Sequence, residues 1–283
     1  MATVLSLINM KGGVGKSTLA VNLAWQFTAY PLWKKNVLLV DLDPQFNSSQ
    51  YLLGVEGYTD QVLTPGKQTV WDLFEQRTVV PGAAKPKPVT RQDAIVNVAS
   101  FLSQDNRLDL LASRLELAWS LKNPASKDDL LERFLRAVDK DYDLVIIDCA
   151  PTESMLTTAA YLASHHVLIP VKPEFLSTIG LPLLARSLQD FHDYYDTYSV
   201  EIAGIVFNHA SDYRPEEAKS KSEVRAEAKR QGWHVFSNEV RYSRSYPKGA
   251  REGRPIFTTS YSRSTAAANF HAFAQELATR IGI

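Results

Sequence analysis

The chain has 283 residues, of which 45% are apolar and 22% charged, with a formal net charge of zero and one cysteine. These values are ordinary for a soluble globular protein and fit one large α/β domain. No apolar run approaches the roughly 18 residues needed to span a bilayer, and a single cysteine excludes an intramolecular disulfide. The N-terminus lacks a signal-peptide pattern, so we expect a cytoplasmic protein.

The first motif along the chain has the features of a phosphate cradle. An apolar run, Val4–Ile8, leads into Lys-Gly-Gly-Val-Gly-Lys-Ser-Thr at 11–18, and a helix-like segment follows at Leu19–Phe27. A strand, a glycine-rich turn and a helix N-terminus together present backbone N–H groups and a positive helix dipole to phosphate. The generic pattern G-x-x-x-x-G-K-[ST] fails at Met10, while Lys11 adds a second lysine at the entrance.

Short apolar runs alternate with helical stretches along the rest of the chain. The runs are Val4–Ile8, Val37–Val40, Leu108–Leu111, Leu144–Ile147, Val167–Val171 and Ile202–Phe207. Continuous apolar strands between helices predict a doubly wound, mostly parallel sheet with helices on both faces. Ligands bind such sheets at the carboxyl ends of the strands.

Residues 54–104 interrupt this alternation. The stretch contains a Pro-rich loop, Pro81–Pro88, between two predicted helices, Val70–Gln76 and Asp93–Leu102. We interpret it as an insertion on the main domain and expect one domain over residues 1–283.

Three carboxylates follow apolar strands. Asp41 and Asp43 end the second predicted strand, and Asp148 ends the strand that begins at Leu144. An aspartate at a strand end beside a phosphate loop is the Walker-B arrangement, which holds Mg²⁺ directly or through water. One such aspartate is more often a turn or helix cap. Three of them together with the cradle predict binding of a nucleoside triphosphate and Mg²⁺.

Charge is uneven along the chain. Residues 214–254 contain eleven Lys/Arg and six Asp/Glu, an excess of five positive charges on a neutral protein. Such a region is a plausible contact surface for a polyanion. For the helix predicted at Glu216–Gln231, a solvated charged face is the simpler interpretation.

The motifs resemble the ParA/Soj/MinD family of deviant-Walker P-loop ATPases. The resemblance rests on the cradle at 11–18, Val-Asp-Leu-Asp-Pro-Gln at 40–45 and Asp-Leu-Val-Ile-Ile-Asp-Cys-Ala-Pro at 143–151. Further matches to the ParA branch occur at 69–73, 108–113, 167–171 and Asn238–Arg241. The resemblance covers nearly the whole chain, although it is weak from about residue 212 to 254. It implies the P-loop NTPase fold.

The family resemblance implies roles for individual residues. Lys16 would bind the β- and γ-phosphates, and Thr18 would contact the α-phosphate. Asp43 would position the attacking water, and Lys11 would reach the partner's phosphates in an ATP-bound sandwich dimer. The remaining implied ligands are the backbone donors Gly12, Gly13, Val14 and Gly15 for phosphate, and Ser17, Asp41 and Asp148 for Mg²⁺.

Asn208 follows the strand predicted at Ile202–Phe207. Its side chain is expected either to read the adenine edge or to act as an asparagine turn-former. The sequence leaves both interpretations open.

The ParA branch implies a slow ATPase that dimerises on ATP, binds DNA without sequence preference and positions a cargo. A ParB-like or other cargo-bound activator would stimulate it, and the protein would be nucleoid-associated. The candidate DNA contacts are Arg241, Arg244, Lys248, Arg251 and Arg254, separated mostly by small or polar residues that suit phosphate contact.

The alternative is a membrane-associated positioning ATPase of the MinD type. That function needs a basic amphipathic tail. The tail here, 265–283, has one arginine and places Phe270, Phe273, Leu277 and Ile281 at helical spacing, which predicts a packing helix.

One cysteine excludes the iron–sulfur reductases of the family. The absence of tyrosine beyond Tyr261 argues against its tyrosine kinases.

Overall fold

An eight-stranded sheet forms the centre of the molecule. The computed structural model describes residues 1–76, 88–101, 106–175, 177–211 and 215–283. The strands are β1 (Thr3–Leu7), β2 (Val37–Leu42), β3 (Ile95–Phe101), β4 (Asn106–Leu111), β5 (Leu144–Cys149), β6 (His166–Val171), β7 (Glu201–Ala210) and β8 (Val240–Arg241). Their order is β3-β4-β2-β5-β1-β6-β7-β8, and only the β3–β4 pair is antiparallel. All six predicted strands are confirmed.

Helices cover both faces of the sheet. They are α1 (Lys16–Ala29), α2 (Asn47–Tyr58), α3 (Val70–Glu75), α4 (Arg91–Ala94), α5 (Leu117–Ser120), α6 (Leu130–Val138), α7 (Met155–Ala163), α8 (Ser177–Tyr194), α9 (Pro215–Gln231), α10 (Ser245–Glu252) and α11 (Ser264–Ile281). One buried cluster joins the sheet to α3, α6, α7, α8 and α9, and a second joins it to α1, α2, α10 and α11. The doubly wound fold class is confirmed.

The order of the strands positions the candidate site. β1 lies between β5 and β6, so strands later in the chain extend from it in both directions. The crevice beyond the carboxyl end of β1 is therefore a topological switch point, where open α/β sheets bind ligands. Register places Asp41 directly beside Asp148 on the neighbouring strands β2 and β5.

The helix predicted at Asp93–Leu102 is wrong. A single turn, α4, leads directly into the antiparallel edge strand β3, whose pairing with β4 shifts between Asn97 and Ala99. The β-branched residues Ile95, Val96 and Val98 favour an extended chain, and the edge of β4 offers backbone partners. Leu102 and residues 81–87 of the Pro-rich loop lie outside the described residues.

Two other helix predictions agree with the structure. α3 begins at a capping box in which Thr69 and Asp72 satisfy each other's backbone groups. α11 buries Phe270, Phe273, Leu277 and Ile281, which confirms a packing helix. No helix in the described ranges is long and apolar enough to cross a membrane.

Candidate nucleotide site and adjoining basic surface

The phosphate cradle is a tight loop between β1 and α1. Gly15 has φ +82° and serves as the N-cap of α1. A Cβ at this position would lie 2.6 Å from Asn208 Nδ2 and 2.9 Å from His209 Nε2. Both the positive φ and the close contact therefore require glycine. The first turn of α1 contains no acidic residue, so no carboxylate of that turn competes with a bound anion for its N–H groups and positive dipole.

Lys16 is held inside this loop. Only 6% of the residue is exposed, and its Nζ donates to the carbonyl oxygens of Asn9 (3.0 Å) and Lys11 (3.2 Å). Burial lowers the pKa of Lys16, while the charges of Asp148 and Asp43 oppose that shift. Asn9 is fixed in turn, because its Nδ2 donates to Pro170 O at 2.7 Å. Asn9 was not predicted, and the only available signal was its place shortly after β1.

Lys11 points to a different set of partners. Its Nζ lies 3.1 Å from Glu174 Oε2 and 3.3 Å from Ser177 Oγ, at the start of α8. Glu174 also pairs with Lys172. These ion pairs and hydrogen bonds lower the pKa of Glu174. The second lysine of the motif is therefore engaged by an anion of its own chain. Glu174 was not predicted from the sequence.

Asp41 and Asp148 form a buried carboxylate pair beneath the loop. Both residues are 0% exposed. Ser49 donates its backbone N–H (2.8 Å) and its hydroxyl (2.7 Å) to Asp41 Oδ2, and Ser48 donates to Asp148 Oδ2 at 2.7 Å. Burial raises the pKa of both carboxyl groups, and for Asp41 the nearby charge of Asp148 raises it further. The pair consequently retains a proton under conditions in which ordinary aspartates are ionised.

The donor set fits Mg²⁺ in the presence of a nucleotide. Asp148 Oδ1 is buried without a hydrogen-bond partner, and the Ser17 side chain approaches the same carboxylate. A hydroxyl and a buried carboxylate are hard oxygen ligands of the kind that Mg²⁺ prefers. Within the described ranges no three His, Cys, Asp or Glu side chains cluster as a metal site. One hydroxyl and one free carboxylate oxygen are fewer ligands than octahedral Mg²⁺ takes, so these groups suit an ion that phosphate and water also hold.

A cavity of about 690 Å³ opens above the loop, within the usual range for small-molecule sites. Seven of the predicted residues line it: Gly12, Gly13, Gly15, Lys16, Ser17, Thr18 and Asp43. The other wall was not predicted as part of a nucleotide site and consists of Gln45, Asn47, Gln50, Tyr51, Gly54, Val55, Pro151, Ala250 and Arg251, the last of which was predicted as a DNA contact. Asp43 is well placed in this cavity, because Gln45 N–H donates to its Oδ1 at 2.9 Å and orients the carboxylate.

Asn208 lies behind the loop rather than in the cavity wall. Its Nδ2 donates to Val14 O at 2.8 Å, and its Oδ1 accepts from His209 N–H at 3.0 Å. The amide therefore supports the cradle from the end of β7. Reading of the adenine edge by Asn208 stays a prediction. His209, whose ring lies close to Gly15, has φ +54°, an uncommon conformation for a residue other than glycine.

The five candidate DNA contacts separate into different environments. Arg241 and Arg244 line a second cavity of about 650 Å³. Lys248 pairs with Glu252 at 3.2 Å, Arg251 lines the nucleotide-sized cavity, and Arg254 is exposed just after α10. Arg214, the first basic residue of the charged stretch, lies outside the described residues.

The second cavity is a basic surface that we call the arginine basin. Its lining residues are Arg241, Tyr242, Ser243, Arg244, Arg263, Thr265, Ala266 and Asn269. Arg263 precedes α11, whose first turn carries no acidic residue, so the helix dipole adds to the positive charge. Arg263 was overlooked because it lies beyond the stretch that ends at Arg254, and the fold brings it back to Arg241.

Comparison with known proteins agrees with this geometry. Residues 2–201 match the AAA domain family AAA_31. The chain is 33% identical to the chromosome partitioning protein ParA of Caulobacter vibrioides over 203 residues, covering 72% of this chain and 68% of that protein. It is 28% identical to the chromosome-partitioning ATPase Soj of Treponema pallidum over 284 residues, covering 100% and 99%.

Among solved structures, an ATP complex of a substituted McdA from Cyanothece superposes with a TM-score of 0.78. Its sequence identity is 19%, and the match covers 100% of this chain and 97% of that one, so the shared fold extends over the whole molecule. Together with the paired lysines of the cradle and the acidic strand ends, the sequence matches establish that the chain belongs to the ParA/Soj family of P-loop ATPases.

Proposed function

We propose that the protein is a Mg²⁺-dependent partition or positioning ATPase that dimerises on ATP and binds DNA without sequence preference. The observation that carries this proposal is the presence of two sites on one helix. A phosphate cavity at the switch point lies at the C-terminal end of α10, and the arginine basin lies at its N-terminal end. The names of the ParA and Soj relatives supply the partition context.

ATP would occupy the cavity with its phosphates on the cradle. Backbone N–H groups of residues 12–15 and the N-terminus of α1 supply fixed donors, and Lys16 supplies a buried cation. Fixed donors stabilise charge on the transferring phosphoryl group without reorganisation. Asp43, held by Gln45 N–H at the cavity wall, would orient the attacking water.

Ser17 and Asp148, with Asp41 beside them, would hold Mg²⁺. When bound, this ion would neutralise part of the charge of the phosphates. The carboxylate pair must lose its retained proton for both groups to act as anions. Nucleotide binding with the metal should therefore favour the ionised pair.

Dimerisation would provide additional positive charge at the γ-phosphate. Lys11 is directed to Glu174 and Ser177 of its own chain, and it is not among the residues that line the cavity. A lysine delivered from a second copy can act as an arginine finger does in other P-loop enzymes. ATP hydrolysis would then depend on dimerisation, and a cargo-bound activator could regulate the formation of the dimer.

DNA binding would use the arginine basin. Exposed guanidinium groups and a helix N-terminus are typical of phosphate contacts, which carry no sequence information. The apolar stripe of α11 packs in the core, so DNA at the basin is better supported than a membrane surface at the tail.

Fluorescence anisotropy with unrelated labelled duplexes tests the proposal in ATP, ADP and nucleotide-free buffers. We expect salt-sensitive binding that ATP strengthens, and loss of binding by at least about tenfold in the Arg244→Glu/Arg263→Glu double variant. The double variant Arg133→Glu/Arg230→Glu, on α6 and α9, reverses the same number of charges outside the basin and is the matched control. Equal affinity in all three buffers, or equal affinity of the basin and control variants, would show that the proposed DNA function is wrong.

A further inference from the structure

The nucleotide cavity has a basic residue that the family motifs do not account for. Arg251, in the last turn of α10, lines the same cavity as Lys16 and Thr18. In the sequence it stands among the candidate DNA contacts. In the structure, Arg251 is separated from the arginine basin by the length of α10, whose N-cap residue is Arg244. A helix of this length spans about 12 Å.

Close packing fixes the position of α10 at the cavity rim. A Cβ on Gly249 would lie 2.6 Å from both Tyr51 Oη and Arg254 O, so only glycine allows α10 to approach α2 this closely. Tyr51 Oη donates to Arg254 O at 3.3 Å and accepts from Asn22 Nδ2 at 3.2 Å. These bonds connect α10 to α2 and to α1, the helix that begins at the cradle.

A second bond strengthens this connection. Asn22 Oδ1 accepts from Ile256 N–H at 2.9 Å, just beyond the end of α10. Asn22 is 0% exposed and Tyr51 is 5% exposed, so the links are shielded from water. The backbone that carries Arg251 is thus held against the cavity by close packing at Gly249 and by buried hydrogen bonds just beyond the helix.

The charge of Arg251 is available to a ligand. The other cation on α10, Lys248, differs in this respect because it pairs with Glu252, which also accepts from Ser260 N–H. In the part of the chain that the structure describes, no acidic side chain lies within ion-pair distance of Arg251. Its side chain is exposed on the cavity side of the molecule.

We infer that Arg251 binds the phosphate chain of the nucleotide, as a cation supplied by α10 opposite the cradle. The planar guanidinium presents paired N–H donors that match phosphate oxygens. The inference rests on the proposed nucleotide function and adds a residue to it. It also gives α10 a contact with the nucleotide at one end and with the arginine basin at the other.

Isothermal titration of ATP and ADP into the full chain tests the inference. We expect Arg251→Ala to weaken ATP binding by at least about tenfold, the loss typical of one charge-assisted contact. The ATP affinity of Arg251→Lys should lie between those of wild type and Arg251→Ala. Arg133→Ala removes an exposed arginine on α6 and should bind ATP within about twofold of wild type. Lys16→Ala serves as the binding-deficient reference.

Salt dependence separates a direct contact from a structural effect. Removing a phosphate contact should flatten the fall of ATP affinity with ionic strength, whereas a packing defect would lower the unfolding temperature of the nucleotide-free protein. Arg251→Gln, which keeps much of the length of the side chain, provides a second variant if Arg251→Ala is unstable.

Two results would overturn the inference. One is ATP affinity of Arg251→Ala and Arg251→Gln equal to wild type. The other is normal ATP affinity with lost nucleotide-free DNA binding, which would assign Arg251 to the DNA surface. If the wild-type protein binds ATP but not DNA, the proposed DNA function is wrong. The ATP affinities of the Arg251 variants would still test whether Arg251 binds the nucleotide.

Discussion

The nucleotide cavity and the arginine basin lie at opposite ends of α10 and are built from opposite kinds of residues. Three charged groups in and beneath the phosphate cradle are buried: Lys16 is 6% exposed, and Asp41 and Asp148 are 0% exposed. The basin presents exposed arginines at 241, 244 and 263. Buried charges interact strongly with fixed partners, whereas exposed charges are screened by salt.

This difference predicts how each region responds to change. Removing one buried group leaves its partners unpaired in a medium of low dielectric constant, so single substitutions should have large effects. Exposed arginines act additively on a polyanion, so single substitutions there should have small effects that depend on ionic strength.

The largest effect is expected for Lys16→Ala. The change removes the buried cation that faces Asp148 and Asp43, and ATP affinity should fall by at least about 100-fold. Isothermal titration measures the loss, with Arg133→Ala as the control. Retained ATP affinity would mean that the cavity is not the nucleotide site. It would also contradict the expectation that single changes at buried charges have large effects.

Lys11→Ala should separate binding from turnover. Because Lys11 faces Glu174, we expect ATP affinity to stay within about threefold of wild type and hydrolysis to fall by at least about 100-fold. Phosphate release under saturating ATP measures the rate. Turnover near the wild-type value would rule out delivery of Lys11 to a partner's phosphates.

Glu174→Gln is the companion change. It keeps the shape of the side chain but weakens its hold on Lys11, and turnover without an activator should rise by about two- to fivefold, the range for an ion pair worth about 0.5–1 kcal/mol. An unchanged or lower rate would show that the Glu174 contact does not restrain Lys11.

The buried carboxylate pair should make stability depend on pH. Burial raises the pKa of Asp41 to about 8, above the ordinary value of 3.8, so the folded state binds more protons than the unfolded state between these values. The free energy of unfolding without nucleotide should fall as pH rises from about 4 towards 8, by at most about 1.4 kcal/mol per pH unit for one proton.

Urea denaturation at several pH values measures this slope, and Asp41→Asn should reduce it because the amide does not titrate. A slope that Asp41→Asn leaves unchanged would assign the proton to other groups.

An effect much smaller than that of Lys16→Ala is expected for Arg263→Ala. DNA affinity should fall by about three- to tenfold at low salt, and the slope of log affinity against log salt should decrease by about 0.9 for one lost phosphate contact. Anisotropy titrations across a salt series measure both quantities. A loss that is the same at every salt concentration would contradict an exposed phosphate contact.

The two regions also differ in how well they could be predicted from the sequence. The cradle and the acidic strand ends are short motifs whose geometry follows from adjacent residues, and the structure brings them together at one crevice. Arg263 and Arg251 could not be placed in this way, because tertiary packing decides which basic residue faces which cavity.

The same reasoning explains the error at Asp93–Leu102. A seven-residue run with β-branched residues can form a strand or a helix, and only the free edge of β4 decides between them. The continuous apolar run Leu144–Ile147 has no such ambiguity, since the strand that contains it is buried on both faces of the sheet.

The two outer strands have a consequence for self-association. β3 is antiparallel and irregular in register, and β8 has only two residues and packs against α11. Strands of this kind are poor templates for adding a strand from a second molecule, which protects the sheet against edge-to-edge aggregation. Filaments built by continuous β-sheets are therefore disfavoured for this chain.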